Sequence, residues 1–375
     1  MPKRGAHAMG SYCLEVVRKD LNQTRTIDLP DPSTVTLSDG EAIIKVDRFG
    51  LTANNITYGV AGDMIGYWQF FPPQDSDGSD KKFGRIPVWG VGTVIDGGNS
   101  DLTAGDEYYG YFPMASYLIV KPNHVTPRGF TDGAEHRSAL PAVYNQYSLM
   151  TAGNGFDRQQ DSHRMVYYPL FITGFVLDDY LADNKFFGSD KIILSSASSK
   201  TSFSLAFLLS QREDRHVVGL TSNGNKAFVE SMGIYDEVVT YDTIETMDAS
   251  SKVAFVDMAG NRTVTEALHH HFKENMVCSC GVGITHWESR DGQPPLELPG
   301  AKPETFFAPT QIQKRTKASG PEKLQADMAL AWSSFLENVD GWVTINERSG
   351  ADAIAATYQE VLNGAKPDQS FALAL

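Results

Sequence analysis

The chain has 375 residues, long for one hydrophobic core and comfortable for two; 41% of them are apolar and 21% charged, which excludes disorder, a repeat array and a fibrous protein. Its 32 Lys and Arg against 46 Asp and Glu leave a formal charge of -14 with no local basic cluster, so no nucleic-acid partner is expected. No long apolar stretch follows Met1-Pro2-Lys3-Arg4, so neither a signal peptide nor a membrane span is expected and a cytoplasmic location is.

Cys13, Cys278 and Cys280 are too few for a disulfide framework. Cys278-Ser279-Cys280 lacks the C-x-x-C spacing and further thiols that zinc needs, so all three read as buried strand residues.

Along the first part, residues 41–47, 88–95 and 116–120 are β-rich runs separated by Gly-Asp and Gly-Gly pairs, the pattern of a barrel. From Lys191 strand and helix alternate: strand 192–194, helix 201–209, strand 216–220, helix 226–232, then strands 238–241, 253–256 and 276–279. These strands are too apolar for a one-sided sheet and predict a doubly wound parallel one. After a short Phe-rich run, Ser319-Gly-Pro321 opens a helix reaching about Glu337. Strand 342–345, helix 351–363 and strand 370–375 close the chain and need a sheet to join, which the barrel supplies.

Five segments then resemble the medium-chain dehydrogenase/reductase superfamily, in its zinc-free, quinone-reductase-like branch and closest to a bacterial subfamily of unassigned reaction. They are EAIIKVDRFGLTANN over 41–55, GVGTV from Gly90 with AGDEYYG over 104–110, YPLFITGFVLDDYL over 168–181, and residues 191–209 and 216–233. The resemblance implies an α/β chain: a GroES-like β-barrel catalytic domain over 1–165 and 310–375, and a Rossmann-type nucleotide-binding domain over 166–309. Residues 144–165 look like an insertion.

Two departures from the family stand out. Where its zinc enzymes place a cysteine after the first catalytic strand, this chain has Phe49 before Gly50, so no metal is expected. The phosphate loop is SASSKTS over 196–202 instead of a glycine-rich turn, and serine replaces glycine only where φ stays negative. Ser198, Ser199, Lys200 and Thr201 nevertheless bring hydroxyls and a cation to a helix N-terminus, where an anion is favoured. The alternative is that Ser196 and Ser198 merely cap the helix.

The end of the second strand, Thr221-Ser222-Asn223 with Lys226 beyond it, has no carboxylate for a ribose 2′-OH and so favours NADP. The resemblance adds Tyr241 as a phenol for the 2′-phosphate, and Gly281 and Gly283 as small residues beside the nicotinamide. For proton delivery Tyr58, with Asn55, is the first candidate, ahead of Tyr67, Trp68, Tyr111 and Thr173. The histidine tract 269–271 reads as a partly exposed helix end, because adjacent helical residues cannot face one ion. The expected protein is an NADPH-dependent oxidoreductase acting on a small carbonyl, enone or quinone, and a homodimer through the sheet edge near residues 304–308. The alternative is a non-catalytic sensor or scaffold of the same fold.

Overall fold

The computed structural model of the chain describes residues 10–73, 82–282 and 297–375. Gly283, one of the expected cofactor residues, lies outside them. The chain divides into two compact units, Met1–Val166 with Thr344–Leu375, and Tyr167–Val343.

In chain order the first unit contains β1 (Tyr12–Val17), β2 (Asp20–Asp28), β3 (Ala42–Leu51), α1 (Ala53–Val60), α2 (Gly62–Ile65), β4 (Phe83–Gly84) and β5 (Pro87–Asp96). There follow β6 (Glu107–Pro113), β7 (Tyr117–Val120), β8 (Pro122–Thr126), β9 (Gly129–Asp132), β10 (Gln146–Leu149) and the start of α3 (Asp161–Asp183). The second unit has β11 (Lys191–Leu194), α4 (Lys200–Ser210), β12 (His216–Thr221), α5 (Lys226–Ser231), β13 (Glu237–Thr240), β14 (Val253–Asp257) and α6 (Arg262–Phe272). It continues with β15 (Met276–Val282), β16 (Glu304–Phe306), α7 (Ala308–Ser319) and α8 (Pro321–Val339), and β17 (Thr344–Ser349), α9 (Ala351–Leu362) and β18 (Gln369–Ala374) return to the first unit.

In the first unit nine strands join in the order β17-β18-β3-β5-β6-β10-β9-β8, with β7 also pairing β3, and β2-β1-β4 form a smaller sheet. Strand β3 is the pivot: its beginning pairs β7, its end pairs β18 through Leu51↔Phe371, and β5 lines its other edge. Its inward residues Ile44, Val46, Phe49 and Leu51 are fully buried in one core with Val88, Phe112 and Leu373, each such side chain contributing about 1.5–3 kcal/mol. This is the GroES-like fold. The start of α3 crosses β3 so closely that a Cβ on Gly50 would meet the Met165 carbonyl at 2.6 Å, which is why glycine stands there. Residues 144–165, expected as an insertion, instead supply β10, which pairs with both β6 and β9. The Gly, Asn and Asp content of that segment belongs to the turns after it.

In the second unit six parallel strands run in the order β13-β12-β11-β14-β15-β16. That is the Rossmann-type doubly wound order, and the burial of Ile192, Ile193, Val217, Val218 and residues 253–256 follows from helices on both faces. Helix α4 is buried from Ser202 to Leu209, on every side, as its apolar character requires. One side meets α3, where a Cβ on Gly174 would stand 2.9 Å from the Leu205 amide nitrogen. Another meets α8: Phe335 lies 6.3 Å from Phe203 and 5.7 Å from Phe207, and Trp342 flanks both.

That packing moves the domain boundary. Residues 310–343, expected with the barrel, belong to the second unit because Trp332 and Phe335 fill the space over Phe171, Phe203 and Phe207. Helix α7 follows the Phe-rich run where no helix was expected before Ser319, and strand β17 begins at Thr344, two residues later than expected. All three cysteines are buried, Cys13 in β1 and the other two in β15. Among the described residues no helix is long and apolar enough to cross a membrane.

Candidate nucleotide site

The chain leaves the carboxyl end of β11, the central strand flanked by β12 and β14, through a serine turn that leads into α4. This is the topological switch point, where open α/β sheets place their ligands. Ser195 is fully buried and ties the turn down: its hydroxyl donates to Asp257 Oδ1 at 2.7 Å and accepts from the amides of Met258 at 2.8 Å and Ala259 at 3.2 Å. Asp257 also accepts from the amides of Ala259 and Gly260 and from the Thr265 hydroxyl, so its carboxylate is spent on its own turn.

Ser196 corrects an expectation. It adopts φ 52°, left-handed backbone that a serine was expected to avoid. Hydrogen bonds on every side hold it there: its amide donates to the Tyr241 phenol at 3.0 Å and its carbonyl accepts from Ser199 at 2.7 Å. Its neighbour Ala197 donates to the Leu220 carbonyl at 3.1 Å and accepts from the Tyr235 hydroxyl at 2.8 Å.

Two of the hydroxyls expected to hold a diphosphate are half used. Ser198 Oγ accepts from Asn225 Nδ2 at 3.0 Å, and Ser199 Oγ caps α4 by accepting from the Ser202 amide at 3.3 Å. A hydroxyl that accepts still keeps its own hydrogen to donate, so capping and anion binding are compatible at these positions. With Lys200 and Thr201 in the first turn of α4, where amides lack partners within the helix, the donor set fits a diphosphate.

At the ribose end the expected residues separate. Thr221 is 1% exposed, the last residue of β12, and its side chain belongs to the interior. Ser222, Asn223 and Lys226 are exposed, and Lys226 Nζ lies 3.8 Å from Glu230 one turn on. Tyr241 is engaged with Ser196. Sequence reasoning missed Asp242. Thr221 and Thr240 are register partners, so the residues after them emerge together, and Asn223 Nδ2 donates to Asp242 Oδ2 at 2.9 Å. A carboxylate therefore stands where none was expected, brought by the third strand and not the second. Toward the other side, Gly281 lies between Asp257 and Thr305 in register, and among the described residues a Cβ there would meet only the Glu304 carbonyl, at 3.8 Å.

The catalytic candidates sit in the first unit, on α1. Asn55 is a capping residue, 4% exposed: its Oδ1 accepts from the Thr52 amide at 2.8 Å and hydroxyl at 3.1 Å, and its Nδ2 donates to the Pro87 carbonyl at 3.0 Å. Tyr58 is buried among aromatic rings, 4.5 Å from Tyr67, 5.8 Å from Tyr111 and 6.4 Å from Tyr144, with its oxygen accepting from Asn54 Nδ2 at 2.7 Å. Burial pushes the Tyr58 phenol well above the usual range, so it stays protonated. Of the weaker candidates, Tyr67 is bonded to Tyr144, Trp68 is wedged against Gly62 and Gly84, and Thr173 donates to the Pro169 carbonyl inside α3.

Beneath this cluster Arg137, 1% exposed, pairs with Asp132, donates to the Tyr144 carbonyl at 2.9 Å and lies against Phe70 at 5.3 Å and Phe71 at 5.1 Å. Of the histidine tract, His269 is a core residue and not an exposed end: its ring nitrogens meet the Pro299 carbonyl at 2.8 Å and Ser279 Oγ at 2.9 Å. Among the described residues no three His, Cys, Asp or Glu side chains gather as a metal site.

Comparison with solved structures shows the same fold at low identity. CurA from Vibrio vulnificus, in complex with NADPH, matches with a TM-score of 0.59 at 10% identity, over 97% of this chain and 98% of that one. The quinone oxidoreductase from Coxiella burnetii matches with a TM-score of 0.54 at 14% identity, over 97% and 99%. The yhdH oxidoreductase from Salmonella enterica, in complex with NADP, matches with a TM-score of 0.51 at 12% identity, over 97% and 99%. No curated protein matches the chain. A family model does, over residues 49–367: that of DUF2855, described as a protein of unknown function.

Proposed function

The chain belongs to the DUF2855 family, and from that premise we propose that it is an NADPH-dependent, zinc-independent oxidoreductase that reduces a carbonyl, enone or quinone. The observation that carries this reading is the position of the serine turn: hydroxyls, Lys200 and the start of α4 stand at the switch point of a six-stranded Rossmann-type sheet. Structures of this fold hold NADPH in CurA and NADP in the yhdH oxidoreductase, which supports the choice of cofactor.

Ser198, Ser199, Lys200 and Thr201 would hold the diphosphate, with Ser222, Asn223 and Lys226 at the ribose end and Gly281 beside the nicotinamide. The dinucleotide, when bound, supplies the hydride. Tyr58 is the assigned proton donor, kept in its acid form by burial and oriented by Asn54. Phe49, fully buried in the strand core, replaces the thiolate that a catalytic zinc would need, which supports the zinc-independent assignment. A homodimer through β16 fits its place at the sheet edge and the 60% exposure of Phe307.

A second reading, a sensor without turnover, is favoured by the internal bonds that Tyr241 and Tyr235 make to Ser196 and Ala197. Calorimetric titration with NADPH tests the first: binding is expected, weakened at least roughly tenfold by Lys200→Glu. No binding by the wild-type chain removes the nucleotide assignment. Binding without NADPH oxidation across enones, quinones and aldehydes leaves the sensor.

A further inference from the structure

The ribose end of the site carries more negative than positive charge. Strands β12 and β13 end in register at Thr221 and Thr240, so Ser222 and Asn223 lie beside Tyr241 and Asp242 just beyond the sheet. Asn223 commits its amide NH2 to Asp242, across 2.9 Å. Asp242 is exposed, and hydrogen bonds from Thr240 and then Asn223, with the charge of Lys226 adding, hold its carboxyl below the usual range, so it is ionised at neutral pH. Lys226, the cation whose charge reaches Asp242, is shared with a second carboxylate, Glu230, at 3.8 Å.

A ribose 2′-phosphate brought here carries nearly two negative charges and meets one shared lysine against two carboxylates. A ribose 2′-OH is neutral and donates to a carboxylate, the arrangement that NAD-binding sites of this fold reach with an acid at the end of the second strand. Here the acid comes from the end of the third strand, and the sheet register delivers it to the same neighbourhood.

We propose that Asp242 is a specificity-determining residue that penalises the 2′-phosphate, so that this chain binds NADH and NADPH with comparable affinity. The inference rests on the dinucleotide assignment above and amends its ribose end: the site takes NADPH, as assigned, and accepts NADH as well. Asp242 also explains why Asn223 and Lys226, favourable to a phosphate in isolation, do not form a phosphate pocket: the amide is turned to the carboxylate, and the lysine is divided between two acids.

Direct binding of NADH and NADPH, read by calorimetry on the wild-type chain and on Asp242→Asn and Asp242→Ser, tests this without any substrate. Comparable dissociation constants are expected for the wild type. Both variants are expected to shift the NADPH-to-NADH affinity ratio toward NADPH by roughly tenfold or more, since one unit charge near an exposed phosphate is worth about that much. The side chain is exposed, so thermal unfolding of the variants should match the wild type and confirm that they fold. A wild type that binds NADPH a hundredfold tighter than NADH, or variants that leave the ratio unchanged, overturn the role of Asp242 while leaving the nucleotide assignment intact. Failure of both nucleotides to bind the wild type removes both proposals, and Lys200→Glu separates the cases because it weakens both nucleotides alike through the diphosphate.

Discussion

The backbone amide of Ser196 donates to the phenol of Tyr241 across 3.0 Å, from a residue whose φ is 52°. One bond thereby fixes both the left-handed turn after β11 and the ring after β13. A side chain with a β-branch is far less tolerant of that backbone than serine, and glycine is indifferent to it. Ser196→Val is expected to cost about 2 kcal/mol. Ser196→Gly is expected to change stability by no more than about 0.5 kcal/mol, because relief of strain offsets the freedom gained by the unfolded chain. Tyr241→Phe, which strips the amide of its acceptor at a half-buried position, is expected to cost about 1 kcal/mol. Urea unfolding of the three variants decides it: if Val proves as stable as Gly, the turn is not left-handed.

The contact between α3 and α4 sets two known effects against each other. Alanine is a better helix former than glycine by about 1 kcal/mol, which alone would make Gly174→Ala stabilising. The added Cβ, however, would stand 2.9 Å from the Leu205 amide nitrogen and 3.1 Å from the Ser204 Cβ, and backbone in a helix buried on every side gives way poorly. Overpacking is expected to win, with a net loss of about 1–2 kcal/mol and weaker nucleotide binding as the start of α4 shifts. A raised melting temperature for Gly174→Ala would show that the helices separate freely.

How much of this was written in the sequence depends on the range of the interaction. The strands expected at 192–194, 216–220 and 253–256 were legible because burial on both faces leaves unbroken apolar runs, and a serine cap on α4 was legible because capping is local, although it was expected at Ser196 and Ser198 and falls on Ser199. Asp242 was not, since it reaches Asn223 only through the register of two parallel strands 19 residues apart in the chain. Residues 310–343 were misplaced for the same reason: nothing local in Trp332 or Phe335 says that α4 is the surface they cover. Asn55 was read as a site residue because it is polar near an expected catalytic strand, when its amide is what the neck of α1 requires.

His269 makes stability depend on acidity. Its ring is fully buried between Pro299 and Ser279, and burial lowers its pKa from the ordinary value near 6.5, with the charge of His270 acting in the same direction and the Pro299 carbonyl opposing. The unfolded chain therefore takes up a proton at this position before the folded one does. Stability is full above pH about 6.5 and falls as the pH drops from there toward the folded pKa, where the loss levels off. His269→Gln, which cannot titrate, is expected to be less stable at pH 7.5 but to lose less on going to pH 5.5. Equal losses for variant and wild type in urea unfolding at the two pH values would assign the acid sensitivity elsewhere.

Tyr58 offers the sharpest separation of chemistry from packing. Phenylalanine keeps the ring against Tyr67, Tyr111 and Tyr144 and loses the hydrogen bonds of the hydroxyl, that from Asn54 among them, so Tyr58→Phe is expected to cost about 1 kcal/mol of stability. If the phenol donates the proton, the same change lowers kcat by about 10²-fold or more while leaving the dissociation constant for NADPH unchanged. The acid form is the working form, and burial raises its pKa, so wild-type turnover should not decline through the pH range near 10 where an ordinary phenol ionises. Arg137→Lys supplies the contrasting case: lysine cannot span Asp132 and the Tyr144 carbonyl with one planar group, so that variant should lose about 2–3 kcal/mol of stability. A Tyr58→Phe variant with undiminished kcat would return the tyrosine to the aromatic core and leave the proton to another group.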